Sequence, residues 1–204
     1  MRLGIFGGTF DPIHVGHLII AQEAASKAGL DMVWFVPTGQ PWMKARSRIS
    51  APNHRMEMAR LAVDKDPQFK VSSIEVDRLG PSDTVDTLTA LRDGDAKGAS
   101  LFFILGMDSL ETLHLWHQSQ LLFDLCSIVA VSRPGHGDFG HASLDEVRPG
   151  VSEEIVFVEG PNIGVSGAEI RRRVFQGLPI THWAPRPVEE YIYDKGLYKE
   201  APCE

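Results

Sequence analysis

One stretch constrains this chain more than any other: Gly7-Gly8-Thr9-Phe10-Asp11-Pro12-Ile13-His14-Val15-Gly16-His17. Before it, Leu3-Gly4-Ile5-Phe6 reads as a short buried strand. After it, residues 18–28 carry apolar side chains at helical spacing and stop at Gly29. A glycine-rich turn therefore leads from a strand into a helix. His14 and His17, three residues apart, fall on one face near the helix start. Gly7 and Gly8 allow backbone N–H groups close to a bulky anion, and the helix N-terminus adds partial positive charge. The physical reading is a phosphate site holding two imidazoles. The turn is not G-x-G-x-x-G, and it lacks the Gly-Lys-Ser/Thr ending of a P-loop. Two other readings stand beside it: a tight turn with incidental histidines, and zinc ligation through H-x-x-H. For zinc, no cysteine or third histidine is suitably close.

The bulk numbers narrow the setting. A chain of 204 residues with 43% hydrophobic content suits one globular domain, 1–204, with a small helical C-terminal part over about 165–204. No apolar run reaches the roughly 18 residues that cross a bilayer. The N-terminus shows one arginine and then a strand, unlike a signal peptide. Cys126 and Cys203 form neither a disulfide framework nor a metal pair, which points to a reduced, cytoplasmic setting. A net charge of −7 argues against a nucleic-acid surface and leaves room for a local basic pocket.

Along the chain, strands are expected at 32–36, 69–76, 101–105, 127–131 and 155–158. Helices are expected from Ser50, as a cap, to about 63, with Met56, Ala59, Leu61 and Ala62 as contacts. Others are expected from Thr84 onward, around 110–113 and 117–123, over 167–175, and from Pro187 to 195. Residues 135–150 read as a surface loop. Apolar strands alternating with helices predict an α/β fold, a doubly wound parallel sheet with helices on both faces. Ligands of such sheets bind beyond the carboxyl ends of the strands. The unusual residues follow strand ends: the first turn, the Lys44 loop, residues 106–109, Arg133 and residues 166–171. They are expected to converge on one crevice.

That collection offers imidazoles, cations and one carboxylate, Asp108, with no Ser–His–acid set, cysteine nucleophile or carboxylate pair. It suits phosphoryl or nucleotidyl transfer, in which the substrate brings the nucleophile and the protein supplies position and charge. Alternatives stay open for single residues. Lys44, Arg46 and Arg48 read as phosphate ligands or as a solvated loop. Asp108 reads as a helix cap or a ribose contact. Trp116 reads as core or as a stacking platform. Of Arg171, Arg172 and Arg173, the first suits the crevice and the others suit solvent.

These residues carry a resemblance. Gly7-Gly8-Thr9-Phe10-Asp11-Pro12 with His14-x-Gly16-His17 resembles the signature of the nucleotidyltransferase superfamily with the H-x-G-H motif. Further segments resemble those of bacterial nicotinate-nucleotide adenylyltransferases. They are Asp83-Thr84-Val85-Asp86-Thr87-Leu88, Leu105-Gly106-Met107-Asp108-Ser109 with Trp116, and Ser132-Arg133-Pro134-Gly135. Residues 165–171, Val-Ser-Gly-Ala-Glu-Ile-Arg, match the I-S-[ST]-T-x-I-R pattern, and Gly196-Leu197-Tyr198 has the look of the family's ending.

The resemblance implies a Rossmann-like fold and transfer of AMP from ATP to nicotinate mononucleotide, giving deamido-NAD and pyrophosphate, with Mg2+ bound mainly through the ATP phosphates. It implies that His14 and His17 hold the phosphates, with Lys44 and Arg171 assisting. Gly7, Gly8, Thr9 and Phe10 would present backbone, Gly106 and Asp108 would contact the adenosine, and Ser166 would hold phosphate. Thr84, Trp116 and Arg133 would form the pyridine-nucleotide side. The implied partners are ATP and nicotinate mononucleotide, without nucleic acid or membrane; a homo-oligomer is left open. Two departures stand out: Ala168 replaces a hydroxyl residue, and Pro41-Trp42-Met43-Lys44 stands where relatives often have P-P-H-K. The alternatives are another H-x-G-H enzyme, such as pantetheine-phosphate adenylyltransferase, and a non-catalytic nucleotide-binding regulator. A class I aminoacyl-tRNA synthetase would need a longer chain and a K-M-S-K-S-like loop.

Overall fold

Strands alternate with helices as the periodicity predicts. The structure, a computed structural model, describes residues 1–40, 49–132, 144, 147–161 and 163–200. Among these residues the strands are β1 (Arg2–Gly8), β2 (Met32–Pro37), β3 (Phe69–Val71), β4 (Ser100–Gly106), β5 (Ser127–Ser132) and β6 (Val156–Glu159). The α-helices are α1 (Val15–Ala28), α2 (Pro52–Val63), α3 (Thr84–Asp93), α4 (Met107–Glu111), α5 (Leu122–Leu125), α6 (Gly167–Phe175) and α7 (Arg186–Asp194). One six-stranded sheet has the order β3-β2-β1-β4-β5-β6. The pairs β1–β4, β4–β5 and β5–β6 are parallel. This is the strand order of a Rossmann-type doubly wound sheet, with its reversal point between β1 and β4.

The chain divides into two interleaved compact units. The first comprises Met1–Gly7, Ile20–Trp34 and Asp83–Asn162. Its sheet sets Leu3 opposite Leu101, Ile5 opposite Phe103 and Ile104 opposite Val129, all buried. Strands this apolar have no water-facing side, and each buried Leu or Ile contributes about 1.5–3 kcal/mol. α3 packs on α5, burying Leu88, Leu91 and Leu122.

The second unit comprises Gly8–Ile19, Phe35–Ser82 and Ile163–Glu204. It holds the glycine-rich turn, the start of α1, and α2, β3, α6 and α7. α2 packs against α7 and β3. The core here is Phe10, Ile13, Phe35, Met56, Met58, Ala59, Ile170, Val188 and Ile192.

Three expectations are corrected. β3 ends at Val71 rather than residue 76: after the Ser72 N–H donates to the Phe35 carbonyl, the chain closes a turn. In that turn the Asp77 N–H donates to the Ser73 carbonyl and Ser73 Oγ donates to Asp77 Oδ2. Ser50 does not cap α2; Ala51 occupies that position without a side-chain cap bond, and Pro52 opens the helix. Leu61 and Ala62 are only half-buried, whereas the face of α2 turned to the core carries Arg55 with Met56, Met58, Ala59 and Val63. Most of the loop expected at 135–150 lies outside the described residues.

Candidate active site

The second unit contains the histidine pair. Strand β1 ends at Gly8, and Phe10 follows with a backbone φ of 49°, a left-handed conformation that costs a non-glycine residue about 1–2 kcal/mol. The cost is offset by burial of its ring, which tilts against Phe35 and meets His17 edge-on at 5.0 Å. The folded-back ring explains Gly8, since a Cβ there would stand 2.9 Å from it. His14 immediately precedes α1 and His17 lies in its first turn. Their rings stack at 3.6 Å with 23° between planes. The His14 backbone N–H donates to His17 Nδ1 at 3.1 Å, which in the neutral ring leaves the hydrogen on Nε2. Thus the two imidazoles act as one surface, and the His17 ring is oriented by the backbone it grows from. The Val15 N–H, at the start of the same helix, donates to the Trp183 carbonyl and so is spent within the protein.

The same turn receives α6. Ser166 caps that helix, its Oγ accepting the Glu169 N–H at 3.2 Å; this uses a lone pair and leaves the hydroxyl hydrogen for another acceptor. Arg171 Nη1 donates to the Asp11 carbonyl at 2.6 Å. Gly167 allows the close approach, because a Cβ there would come 2.9 Å from the Asp11 oxygen. Arg172 is paired instead with Glu169 on the exposed side of α6. Arg173 is not simply solvated, as expected from the sequence: its Nε donates to the Pro179 carbonyl and its guanidinium lies over the Trp183 ring at 4.8 Å.

Sequence reasoning missed the polar frame behind the turn. Arg55, almost fully buried, donates to the carbonyls of Thr9 at 2.9 Å, Ser50 at 3.0 Å and Gly39 at 3.1 Å. Burial pushes its pKa below the ordinary value, while the nearby Asp11, Tyr198 and Glu75 oppose the shift. Asp11, also buried, accepts Tyr198 Oη on Oδ1 at 2.6 Å and the Ser50 N–H on Oδ2 at 3.1 Å. Burial first, then the Asp11 charge, pushes the Tyr198 phenol far above its ordinary value, so it stays a donor. The one signal available in advance was a charged residue, Arg55, on the apolar face of an amphipathic helix.

The first unit carries the other expected residues. The carboxyl ends of β1, β4 and β5 lie side by side in parallel register, with Gly106 opposite Val131. Gly106 precedes α4 and a Cβ there would meet nothing within 4 Å among the described residues. Asp108 is in the first turn of α4 and exposed; Gly106, not Asp108, holds the cap position, so the capping alternative is removed. Gly7 lies at the end of β1, where a Cβ would make only ordinary contact with Phe103. Thr84 opens α3, half-buried. Trp116 packs edge-on against Phe103 at 6.0 Å and 77°. Its Nε1 is buried with no hydrogen-bond partner among the described residues. Lys44 and Arg133, with Arg46 and Arg48, lie outside the described residues. Among the described residues, no group of three or more His, Cys, Asp or Glu side chains is arranged to hold a metal ion.

Residues 5–173 match the cytidylyltransferase-like family. The probable nicotinate-nucleotide adenylyltransferase of Dehalococcoides mccartyi (strain ATCC BAA-2266 / KCTC 15142 / 195) is 41% identical over 198 residues, 97% of each chain. That of Roseiflexus sp. (strain RS-1) is 43% identical over 197 residues, 97% of this chain and 98% of the relative. The chain belongs to the nicotinate-nucleotide adenylyltransferase family. The fold agrees with solved members of the family. The Plasmodium falciparum nicotinic acid mononucleotide adenylyltransferase complexed with NaAD superposes with a TM-score of 0.77 at 18% identity, covering 97% of both chains. At that identity the likeness speaks for the fold.

Proposed function

We propose that this chain transfers AMP from ATP to nicotinate mononucleotide, releasing pyrophosphate and forming deamido-NAD, as one nucleotidyltransferase domain spanning 1–204. The observation that carries the mechanism is the stacked His14–His17 pair in a turn that also receives Arg171. An oxygen of the acceptor's 5′-phosphate attacks the α-phosphorus of ATP; the new P–O bond forms as the bond to the β-phosphate oxygen breaks. The acceptor phosphate, with a second pKa of about 6, is already mostly ionised near neutrality, so no general base is needed. What is needed is charge and alignment.

His14 and His17 hold the ATP phosphates and the departing pyrophosphate, His17 donating from Nε2. Arg171 spends one N–H on Asp11 and has others for phosphate. Ser166 donates its hydroxyl hydrogen, Lys44 assists, and Gly7, Gly8, Thr9 and Phe10 present the backbone. Gly106 and Asp108 receive the adenosine, where glycine leaves room at the backbone and an exposed carboxylate suits ribose hydroxyls. Trp116, Thr84 and Arg133 receive the pyridine nucleotide, with the indole ring as a stacking face. The edge-on contact of Trp116 with Phe103 leaves the indole half-exposed, which supports that stacking role. Mg2+ would be held mainly through the ATP phosphates and would offset their charge; Asp11, the carboxylate in the turn, already accepts from Tyr198 and Ser50. No described helix is long and apolar enough to cross a membrane.

The test is pyrophosphate release from ATP and Mg2+ with nicotinate mononucleotide, nicotinamide mononucleotide and phosphopantetheine in parallel. Fast release with the acid mononucleotide alone is expected. Equal release with the amide would remove the ring discrimination assigned to Thr84 and Trp116; release only with phosphopantetheine would overturn the substrate.

A further inference from the structure

The buried carboxylate of Asp11 has no part in the chemistry above, yet it occupies the centre of the turn that holds the histidines. An ionised carboxylate is kept out of water at a cost of several kcal/mol unless it is well paired. Here it is paired with groups drawn from distant parts of the second unit. Tyr198, 187 residues away in sequence, donates to Oδ1, and Ser50, 39 residues away, donates to Oδ2. Arg55 braces the same turn through the Thr9 carbonyl and the same residue, Ser50, through its carbonyl. The backbone carbonyl of Asp11 then meets α6 twice, as acceptor for Arg171 Nη1 at 2.6 Å and as the atom that Gly167 must clear. A line of contacts runs from the Tyr198 phenol through Asp11 to the Arg171 guanidinium.

We propose that Asp11 is a positioning residue for adenylyl transfer. Its carboxylate fastens the C-terminal segment and Ser50 to the phosphate turn, and its carbonyl thereby fixes where the Arg171 guanidinium sits. The inference rests on the reading of Arg171 as a phosphate ligand. Asp11 touches no substrate in this scheme; it acts through Arg171. Misplacing a charged ligand by about 1 Å is enough to lose up to about a hundredfold in rate. Removing the Tyr198 hydroxyl, which leaves the ring packed in place, is the mildest way to loosen the line.

The experiment compares the full-length wild type with Tyr198→Phe, Arg171→Ala and the double variant. Pyrophosphate release is measured with ATP varied and nicotinate mononucleotide saturating, and then the reverse. Circular dichroism and thermal melting report the folded fraction. Tyr198→Phe is expected to lower kcat/KM for ATP about tenfold per folded molecule with the KM for the mononucleotide unchanged. In the Arg171→Ala background the same change is expected to add nothing, because its effect passes through the missing guanidinium. Asp11→Asn is the second variant, read out in the same way if Tyr198→Phe folds poorly. The asparagine puts an NH2 group against either the Ser50 N–H or the Tyr198 O–H, and is expected to be non-additive with Arg171→Ala as well.

A purely structural role would lower the melting temperature while leaving kcat/KM per folded molecule intact, and that result overturns the inference. So does a loss that multiplies fully with Arg171→Ala, or one that appears in the KM for the mononucleotide. If Arg171→Ala itself turns over like the wild type, the phosphate reading fails, and the inference fails with it. An impaired Arg171→Ala beside a fully active Tyr198→Phe sinks the inference alone.

Discussion

The turn in the second unit and the corner after β4 in the first unit are built on opposite principles. In the turn, polar groups are committed to one another: Arg55 to three carbonyls, Asp11 to Tyr198 and Ser50, Arg171 to Asp11, and the His14 N–H to His17. Among the described residues the groups at the β4 corner are uncommitted, with no neighbour close to a Cβ on Gly106, Asp108 exposed and the Trp116 N–H lacking a partner. The difference follows from the work assigned to each. Phosphates repel one another, so their ligands must be fixed before substrate arrives; reorganising charge during the reaction would raise the barrier. Adenine and ribose are neutral and the nicotinate ring balances its carboxylate with its own pyridinium charge, so their recognition works through a stacking face and a few donors that exchange water for ligand.

The comparison can be broken most severely at Arg55. Arg55→Met leaves the carbonyls of Thr9, Ser50 and Gly39 without their donor and takes away a positive charge that acts on Asp11. The expected loss is about 3–5 kcal/mol of stability, read by chemical denaturation, with no matching loss for a change at the open corner. A variant of near-normal stability would show that the frame is not what holds the turn. Next comes His17→Ala, which should lower kcat at least a hundredfold, about 2.7 kcal/mol on the barrier, with the melting temperature little changed. Near-normal turnover would remove the stacked pair from the mechanism.

The smallest effect sharpens the other side. Trp116→Phe keeps a stacking ring and deletes an N–H that has no partner among the described residues. The KM for nicotinate mononucleotide should rise about threefold to tenfold, the worth of one neutral hydrogen bond, while KM for ATP holds steady. Stability should stay level or rise slightly, since a buried donor without an acceptor has been removed. A drop in stability of more than about 1 kcal/mol would mean that the indole belongs to the packing.

What could be read in advance divides along similar lines. The α6 boundaries, 167–175, were legible because a helix start is a local matter: the Ser166 hydroxyl and the amide whose N–H it accepts are three residues apart. β1, β2, β4 and β5 were legible because a strand apolar on both sides has few other places to go. Ser50 misled for the opposite reason. It has the chemistry of a helix cap, but its peptide is recruited by Asp11 and Arg55. The end of β3 likewise depends on the turn that Ser73 and Asp77 close. Asp11 and Tyr198 stand in quoted motifs, yet neither motif says that one donates to the other. The stacking of His14 on His17 was legible as a shared face, whereas the tautomer-setting bond from the His14 backbone was not.

The contact between Tyr198 and Asp11 also bears on how the molecule comes into being. The phosphate turn is synthesised 187 residues ahead of the phenol that fastens it. A nascent chain carries both histidines and the glycine turn long before it carries α6, Arg171 or Tyr198. The motif is therefore made before its fastening, and a product stalled short of Tyr198 keeps the histidines and lacks the phenol that donates to Asp11.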